Sequence, residues 1–256
     1  MADPGTTAID YDHHLNYHSV TGAAAALPYL FEHRMPESLL DVGCGAGTWL
    51  RAALDLGVKE VAGIEGVPIP KEELLIPAGC IQVQDLSRPW NLGRRFDLVL
   101  CLEVAEHLEE KFAPLLIRSL TEHTDWILFS AAVPLQSGQN HVNCQWPEFW
   151  QQLFNQNGFV CEDTLREVIW NDERIEPWYR QNLFTARRDA TSTGTEPRIR
   201  GMIHPAILAT IVKESVEQTE SALLEQITSG KMPRSWYAKT AASVVKGKLR
   251  RSRKTP

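Results

Sequence analysis

Leu39-Leu40-Asp41-Val42-Gly43-Cys44-Gly45-Ala46-Gly47-Thr48-Trp49-Leu50 is the stretch that decides the fold. Residues 38–42 are a short apolar run closed by glycines, which reads as a buried strand. Residues 47–56 read as a helix that Gly57 ends. Glycines in such a turn let the backbone approach a ligand closely, and the start of the helix offers free N–H groups. A dinucleotide pyrophosphate also sits on turns of this kind, but two details oppose it. Thr48 stands where the dinucleotide fingerprint has its third glycine, and Asp41 at the strand end disfavours a diphosphate. A carboxylate there suits a cationic ligand.

The same grammar repeats outward from this turn. Residues 60–64, 80–83, 96–101 and 126–130 are further short apolar strands, and residues 15–34, 109–123 and 147–157 read as helices. Strands alternating with helices predict a mostly parallel, doubly wound α/β sheet covered on both faces. Residues 158–161 and 182–186 are two final strands, expected as an antiparallel pair at one sheet edge. Residues 133–146 are a long polar loop, and residues 188–200 read as a Ser/Thr/Gly/Pro linker. Residues 205–227 form an amphipathic helix, followed by a short basic helix and tail. The expected division is an α/β domain over residues 1–189 and a helical extension over residues 190–256. The extension leaves three roles open: dimerisation, a lid, or packing.

Composition bounds the function. The chain has 256 residues, of which 43% are hydrophobic and 23% charged, as in ordinary globular proteins. No apolar run approaches the roughly 20 residues of a membrane-spanning helix, and the N-terminus carries no signal-peptide pattern. Seven of the 26 basic residues lie at Lys239 and beyond with no acid among them, leaving 19 against all 32 acids in the rest. So acidic a body argues against a nucleic-acid partner, while the basic tail offers peripheral contact with an anionic membrane. The plainer reading of the tail is a solvated terminus. Five cysteines without a CxxC imply free thiols and a cytoplasmic location.

Two more acids follow the second and third strands: Glu65, and Asp85 in Gln84-Asp85-Leu86. An acid at the end of the second strand accepts hydrogen bonds from ribose hydroxyls. One at the end of the third can accept from an exocyclic amine. Three acids at the ends of three consecutive strands beside a glycine turn make a constellation.

On these residues the chain resembles the class I S-adenosylmethionine-dependent methyltransferases. LLDVGCGAGTWL is similar to that family's first motif, VAGIEG to its second-strand acid and QVQDL to its adenine-side acid. FDLVLCLEVAEHLEE is similar to its fourth strand and following loop. The resemblance spans residues 38–187 and implies a Rossmann-like sheet of seven strands, six parallel and the seventh antiparallel. It implies S-adenosyl-L-methionine as cofactor, with Gly43, Gly45 and Gly47 around the methionine part and Asp41 near its amino group. Glu65 then meets the ribose, Asp85 and the Leu86 backbone meet adenine, and Glu103 faces the sulfonium.

Methyl transfer to a hydroxyl needs an aligned nucleophile and a base. The candidates lie past the fourth and fifth strands: Glu103, Glu106 and His107, and the loop QNHVNCQW over residues 139–146. His141 is the expected general base and His107 the second candidate. Glu106, Asn143, Gln145 and Trp146 are expected at the acceptor, with loop bracing as the competing reading. Tyr11, His13, His14, Tyr17 and His18 belong to an N-terminal lid, from which Tyr11 or His14 reaches the cofactor. His14 and His18 have metal-ligand spacing on a helix, but no second ligand set accompanies them and no metal is expected. Trp170, Trp178 and Tyr179 either line a pocket or pack the core. The polar loop favours O-methylation of a sugar hydroxyl on a saccharide chain or glycosylated metabolite. A natural-product O- or N-methyltransferase and a non-catalytic cofactor-binding subunit stay open as alternatives.

Overall fold

Seven strands form one sheet in the order β3-β2-β1-β4-β5-β7-β6. They are β1 (Ser38–Val42), β2 (Glu60–Glu65), β3 (Ile81–Val83), β4 (Leu98–Leu102), β5 (Trp126–Ser130), β6 (Phe159–Glu162) and β7 (Phe184–Arg188). The computed structural model describes residues 11–13, 19–32, 34–240 and 242–243. β1 pairs in parallel with β2 and with β4, β2 with β3, and β4 with β5. β7 runs antiparallel to both β5 and β6, between them. The edge strand is therefore β6, and the reversed strand is an inner one.

Alternation along the strands divides the core in two, because successive side chains point to opposite faces. On one face Leu40, Val42, Val99, Cys101, Ile127 and Phe129 pack with α3 (Ala113–His123) and α4 (Pro147–Gln156). On the other, Leu39, Leu98, Leu100, Trp126 and Leu128 pack with α1 (Val20–Phe31) and α2 (Thr48–Asp55). α5 (Thr164–Ile169) and α6 (Pro177–Asn182) add Leu165, Ile169 and Tyr179 to that second layer. Each fully buried large side chain contributes about 1.5–3 kcal/mol, so both layers are cores in their own right.

Helix ends follow local rules. Ser19 caps α1 by accepting from the Gly22 N–H at 3.1 Å. Proline occupies the first turn of α3, α4 and α6, where its missing N–H costs nothing.

The differences from the sequence expectation are specific. The first helix is described over Val20–Phe31, the expected residues 15–18 lying outside the described residues, and the third starts at Ala113 after a 3₁₀ turn at Glu110–Phe112. Only short 3₁₀ turns join β2 to β3, and no helix lies between β3 and β4. α5 and α6 were not expected: six-residue helices are too short to show a 3.6-residue period. The expected linker is packed down instead. Glu196 accepts from Asn155 at 2.6 Å and Gln151 at 3.1 Å, and Ile199 is buried in the first core layer. A Ser/Thr/Gly/Pro-rich composition did not reveal those two anchors.

The chain divides into two compact units, 1–208 and 209–256. Within the second, α7 (Pro205–Thr228) continues with Val212, Val216, Leu223 and Leu224 exposed. The Tyr237 hydroxyl donates to the Ile227 carbonyl at 2.8 Å. Among the described residues no helix is long and apolar enough to cross a membrane. Of the basic tail, Lys246, Lys248, Arg250, Arg251, Arg253 and Lys254 lie outside the described residues, as do His14, Tyr17 and His18.

Candidate active site

A cleft opens at the carboxyl ends of β1, β2 and β4, where ligands bind in open α/β sheets. Its empty space, about 1130 Å³ including the mouth, accommodates a nucleoside-sized ligand. Asp41, Gly43, Gly45, Thr48, Glu65, Leu86, Glu103 and His107 all line it, as do Tyr11, His13 and Tyr179.

The turn after β1 is tied to β2 by backbone. The N–H groups of Gly43 and Cys44 both donate to the Ile64 carbonyl, at 2.7 and 3.1 Å. Gly43 has φ +78°, and a Cβ there would overlap the Val104 side chain. Glycine is required twice over at that position. Glu65 fixes the turn from the other side, accepting from Gly45 N–H at 2.7 Å and Val67 N–H at 3.0 Å. His13 lies 3.8 Å from its carboxylate. Gly47, at φ +87°, caps α2 and faces Ile76 rather than the cleft.

Asp41 is buried, and burial followed by the Glu65 charge pushes its pKa up to about 8. A buried acid held at this cost is suited to a cation. Asp85 behaves differently from the other acids: it accepts from the Ser87 N–H and hydroxyl, pairs with Arg88 at 3.1 Å, and does not line the cleft, whereas Leu86 does.

The opposite wall comes from the ends of β4 and β5. Glu103 has φ +54°, in the left-handed region, a conformation that persists only where its surroundings enforce it. Its N–H donates to the Ser130 carbonyl and hydroxyl. Its carboxylate accepts from Gln136 at 2.8 Å and Asn182 at 3.1 Å. Burial is the largest influence on Glu103 and raises its pKa, against these hydrogen bonds.

Three residues on, a 3₁₀ turn at Ala105–His107 brings His107 to the same wall, while Glu106 is buried behind it and neither Glu106 nor His141 borders the cleft. The Glu106 backbone carbonyl accepts from Val142 at 2.9 Å and Asn143 at 3.0 Å, which clamps the polar loop against this turn. The clamp delivers His141, whose ring centre lies 5.1 Å from that of His107. His141 Nδ1 donates to the Gln136 carbonyl at 3.0 Å, which leaves its Nε2 lone pair free. Glu106 is wholly buried, and neither carboxylate oxygen has a well-formed hydrogen bond. Burial and the Glu103 charge raise its pKa. His107 is pushed down to about 4, by burial first and His141 second.

The other expected residues have other surroundings. Gln145 donates to Asn143 at 3.0 Å, and Asn143 is buried beneath the loop. Trp146 lies against Gly201, and neither it nor Asn143 or Gln145 borders the cleft. Tyr11 does border it, edge-on to His107 at 5.1 Å. Trp170 stacks on His204 and Trp178 packs into the second core layer; of these three aromatics Tyr179 alone reaches the cleft. Sequence reasoning missed Ser130, Gln136 and Asn182 as the groups holding Glu103. Ser130 and Gln136 lie in and just after the strand next to β4, which was a usable signal. Asn182 is 79 residues from Glu103 and gave none.

With this geometry in hand, a family profile described as a methyltransferase domain matches residues 11–171. The sugar N-methyltransferase KedS8 from Streptoalloteichus sp. ATCC 53650 is similar at 17% identity and TM-score 0.54, covering 74% of this chain and 99% of its own. CalS10, an amino pentose methyltransferase from Micromonospora echinaspora, is similar at 16% identity and TM-score 0.49, covering 70% and 92%. The likeness to KedS8 bears on the fold alone. No curated protein matches the sequence significantly.

Proposed function

This chain belongs to the methyltransferase-domain family, and from that premise we propose that it methylates a hydroxyl of a small polar acceptor, a sugar or glycosylated metabolite. The observation that carries this reading is the two-sided cleft. One wall presents a buried acid beside a glycine turn; the other presents Glu103 and His107, with His141 packed against the His107 ring. The cofactor is S-adenosyl-L-methionine, which when bound supplies a methyl group on a positive sulfur that leaves as a neutral thioether.

The residues present fit that cofactor. Asp41 offers a buried carboxylate to the ammonium, beside a turn whose N–H groups are held by the Ile64 carbonyl and the Glu65 carboxylate. Glu65 is the acceptor for two ribose hydroxyls, and the Leu86 segment borders the base. Glu103 is held by Asn182 and Gln136 so that its negative charge faces a cationic centre rather than wandering from it. A hydroxyl acceptor is a weak nucleophile until it is relieved of its proton. That task falls to the wall where His141 keeps a free nitrogen, with the Glu106 carbonyl holding the loop in place.

Calorimetric titration with S-adenosylmethionine, S-adenosylhomocysteine and NAD in parallel tests the cofactor side. Micromolar binding of the two sulfur ligands without NAD is expected; binding of NAD alone would overturn it. A screen of sugar and glycoside acceptors with purified enzyme then tests the substrate class, where methylation of amines but of no hydroxyl would discard the acceptor reading.

A further inference from the structure

We propose that Glu106, His107 and His141 form a binding site for a divalent transition-metal ion just behind the cleft wall, which His107 borders. A carboxylate oxygen of Glu106 and one ring nitrogen from each histidine lie within 4.8 Å of one another. Bonds of about 2.0–2.2 Å put tetrahedral donors about 3.3–3.6 Å apart, so closure of little more than about 1 Å seats an ion.

Two features of the site point to a cation. The first is a poorly satisfied carboxylate. Glu106 is fully buried, and neither its carboxylate oxygens nor the Nδ1 of His107 makes a well-formed hydrogen bond, backbone groups such as that of Ala132 approaching only loosely. Buried polar atoms are ordinarily paired, and an exception calls for an unseen ligand. The second is the state of the rings. His141 donates its Nδ1 hydrogen to Gln136, the arrangement in which a backbone carbonyl orients an imidazole so that its other nitrogen ligates.

The donor set selects the ion. Two imidazoles and a carboxylate favour Zn²⁺, Co²⁺, Fe²⁺ or Mn²⁺ over Mg²⁺, which prefers oxygen ligands and water. Three protein ligands leave a position open for an outside oxygen. His107 and Glu103 border the cleft, so the open position serves the acceptor. The inference rests on the hydroxyl-methylation reading and changes what His141 does in it: the ring is a ligand, and acidification of the hydroxyl comes from the ion. The acceptor O–H bond then breaks with its proton passing to water. The oxygen pair forms the bond to the methyl carbon as the C–S pair returns to sulfur.

The full-length protein, stripped with a chelator and dialysed, is titrated with Co²⁺ and followed by visible absorption and calorimetry. One Co²⁺ per chain is expected, with Zn²⁺ displacing it and Mg²⁺ failing to. His141→Ala and Glu106→Gln should each weaken Co²⁺ binding by at least about tenfold, with S-adenosylhomocysteine affinity reporting that each variant is folded. Absence of Co²⁺ binding in protein that binds S-adenosylhomocysteine would overturn the site, as would binding that survives both substitutions. Co²⁺ is read without cofactor present, so failure of the cofactor reading shows separately, as loss of S-adenosylhomocysteine binding with Co²⁺ binding intact.

Discussion

The two walls of the cleft are assembled in opposite ways. The β1–β2 wall draws Asp41, Gly43, Gly45 and Glu65 from 25 consecutive residues, and its decisive contacts run to backbone N–H groups. The β4–β5 wall gathers Glu103, Glu106, Gln136, His141 and Asn182 across 80 residues, and side chains make most of its contacts. A backbone-built wall is fixed by the strand register itself. A side-chain wall is fixed only once a loop, a 3₁₀ turn and a short helix have all docked. The first suits a cofactor of constant shape and the second an acceptor that differs between enzymes.

Substitutions on the two walls should separate cleanly. His141→Ala is expected to lower turnover by roughly 10²–10⁴ while leaving S-adenosylhomocysteine affinity within about twofold. Steady-state kinetics beside calorimetry measure both, and near-normal turnover would remove His141 from the chemistry. Glu65→Ala deletes charged hydrogen-bond acceptors of about 1.5–3 kcal/mol each. Its cofactor Kd should rise by roughly 10- to 100-fold, and an unchanged Kd would show that the wall does not meet the cofactor. Asn182→Ala leaves the Glu103 carboxylate short of one donor, at about 1–3 kcal/mol. We expect a lower Tm and roughly tenfold slower turnover with little change in Kd; a large change in Kd instead would blur the distinction between the walls.

The protonation of Asp41 offers a finer probe. Its folded pKa of about 8 lies above the ordinary 3.8, so the native state holds a proton that the unfolded state releases. Stability of the free protein should therefore fall as pH rises from about 4 to 8. A ligand ammonium reverses the preference, so cofactor binding should tighten over that window and release up to one proton. Calorimetry in buffers of different ionisation enthalpy reads this directly, and Asp41→Asn should abolish the release. The smallest effect belongs to the surface. Arg51 and Asp55 form an exposed i,i+4 pair at 2.7 Å, and Arg51→Ala should change stability by no more than about 0.5 kcal/mol by chemical denaturation.

Legibility in the sequence followed the same divide. The strand ending in Asp41, the glycine turn and the acid at Glu65 were readable because each depends on neighbours in sequence: alternation, the φ > 0 requirement and helix initiation. The strand count and the reversed seventh strand also followed from the family resemblance. α5 and α6 were illegible, being too short for periodicity to exceed chance. The linker reading of residues 188–200 failed because one carboxylate, Glu196, and one apolar side chain, Ile199, outweigh the composition around them.

The sequence by itself determined the α/β architecture, the glycine turn after β1 and the acids at the ends of β1 and β2, since local propensity and strand alternation act within one turn or one pairing. Only the tertiary structure decided which acids work together. It engaged Asp85 with Ser87 and Arg88, and it strained Glu103 into the left-handed region under the hold of Asn182. It also brought the buried Glu106 carboxylate within 4.8 Å of ring nitrogens of His107 and His141. Burial and such juxtapositions arise from packing between distant segments, and no residue's immediate neighbours encode them.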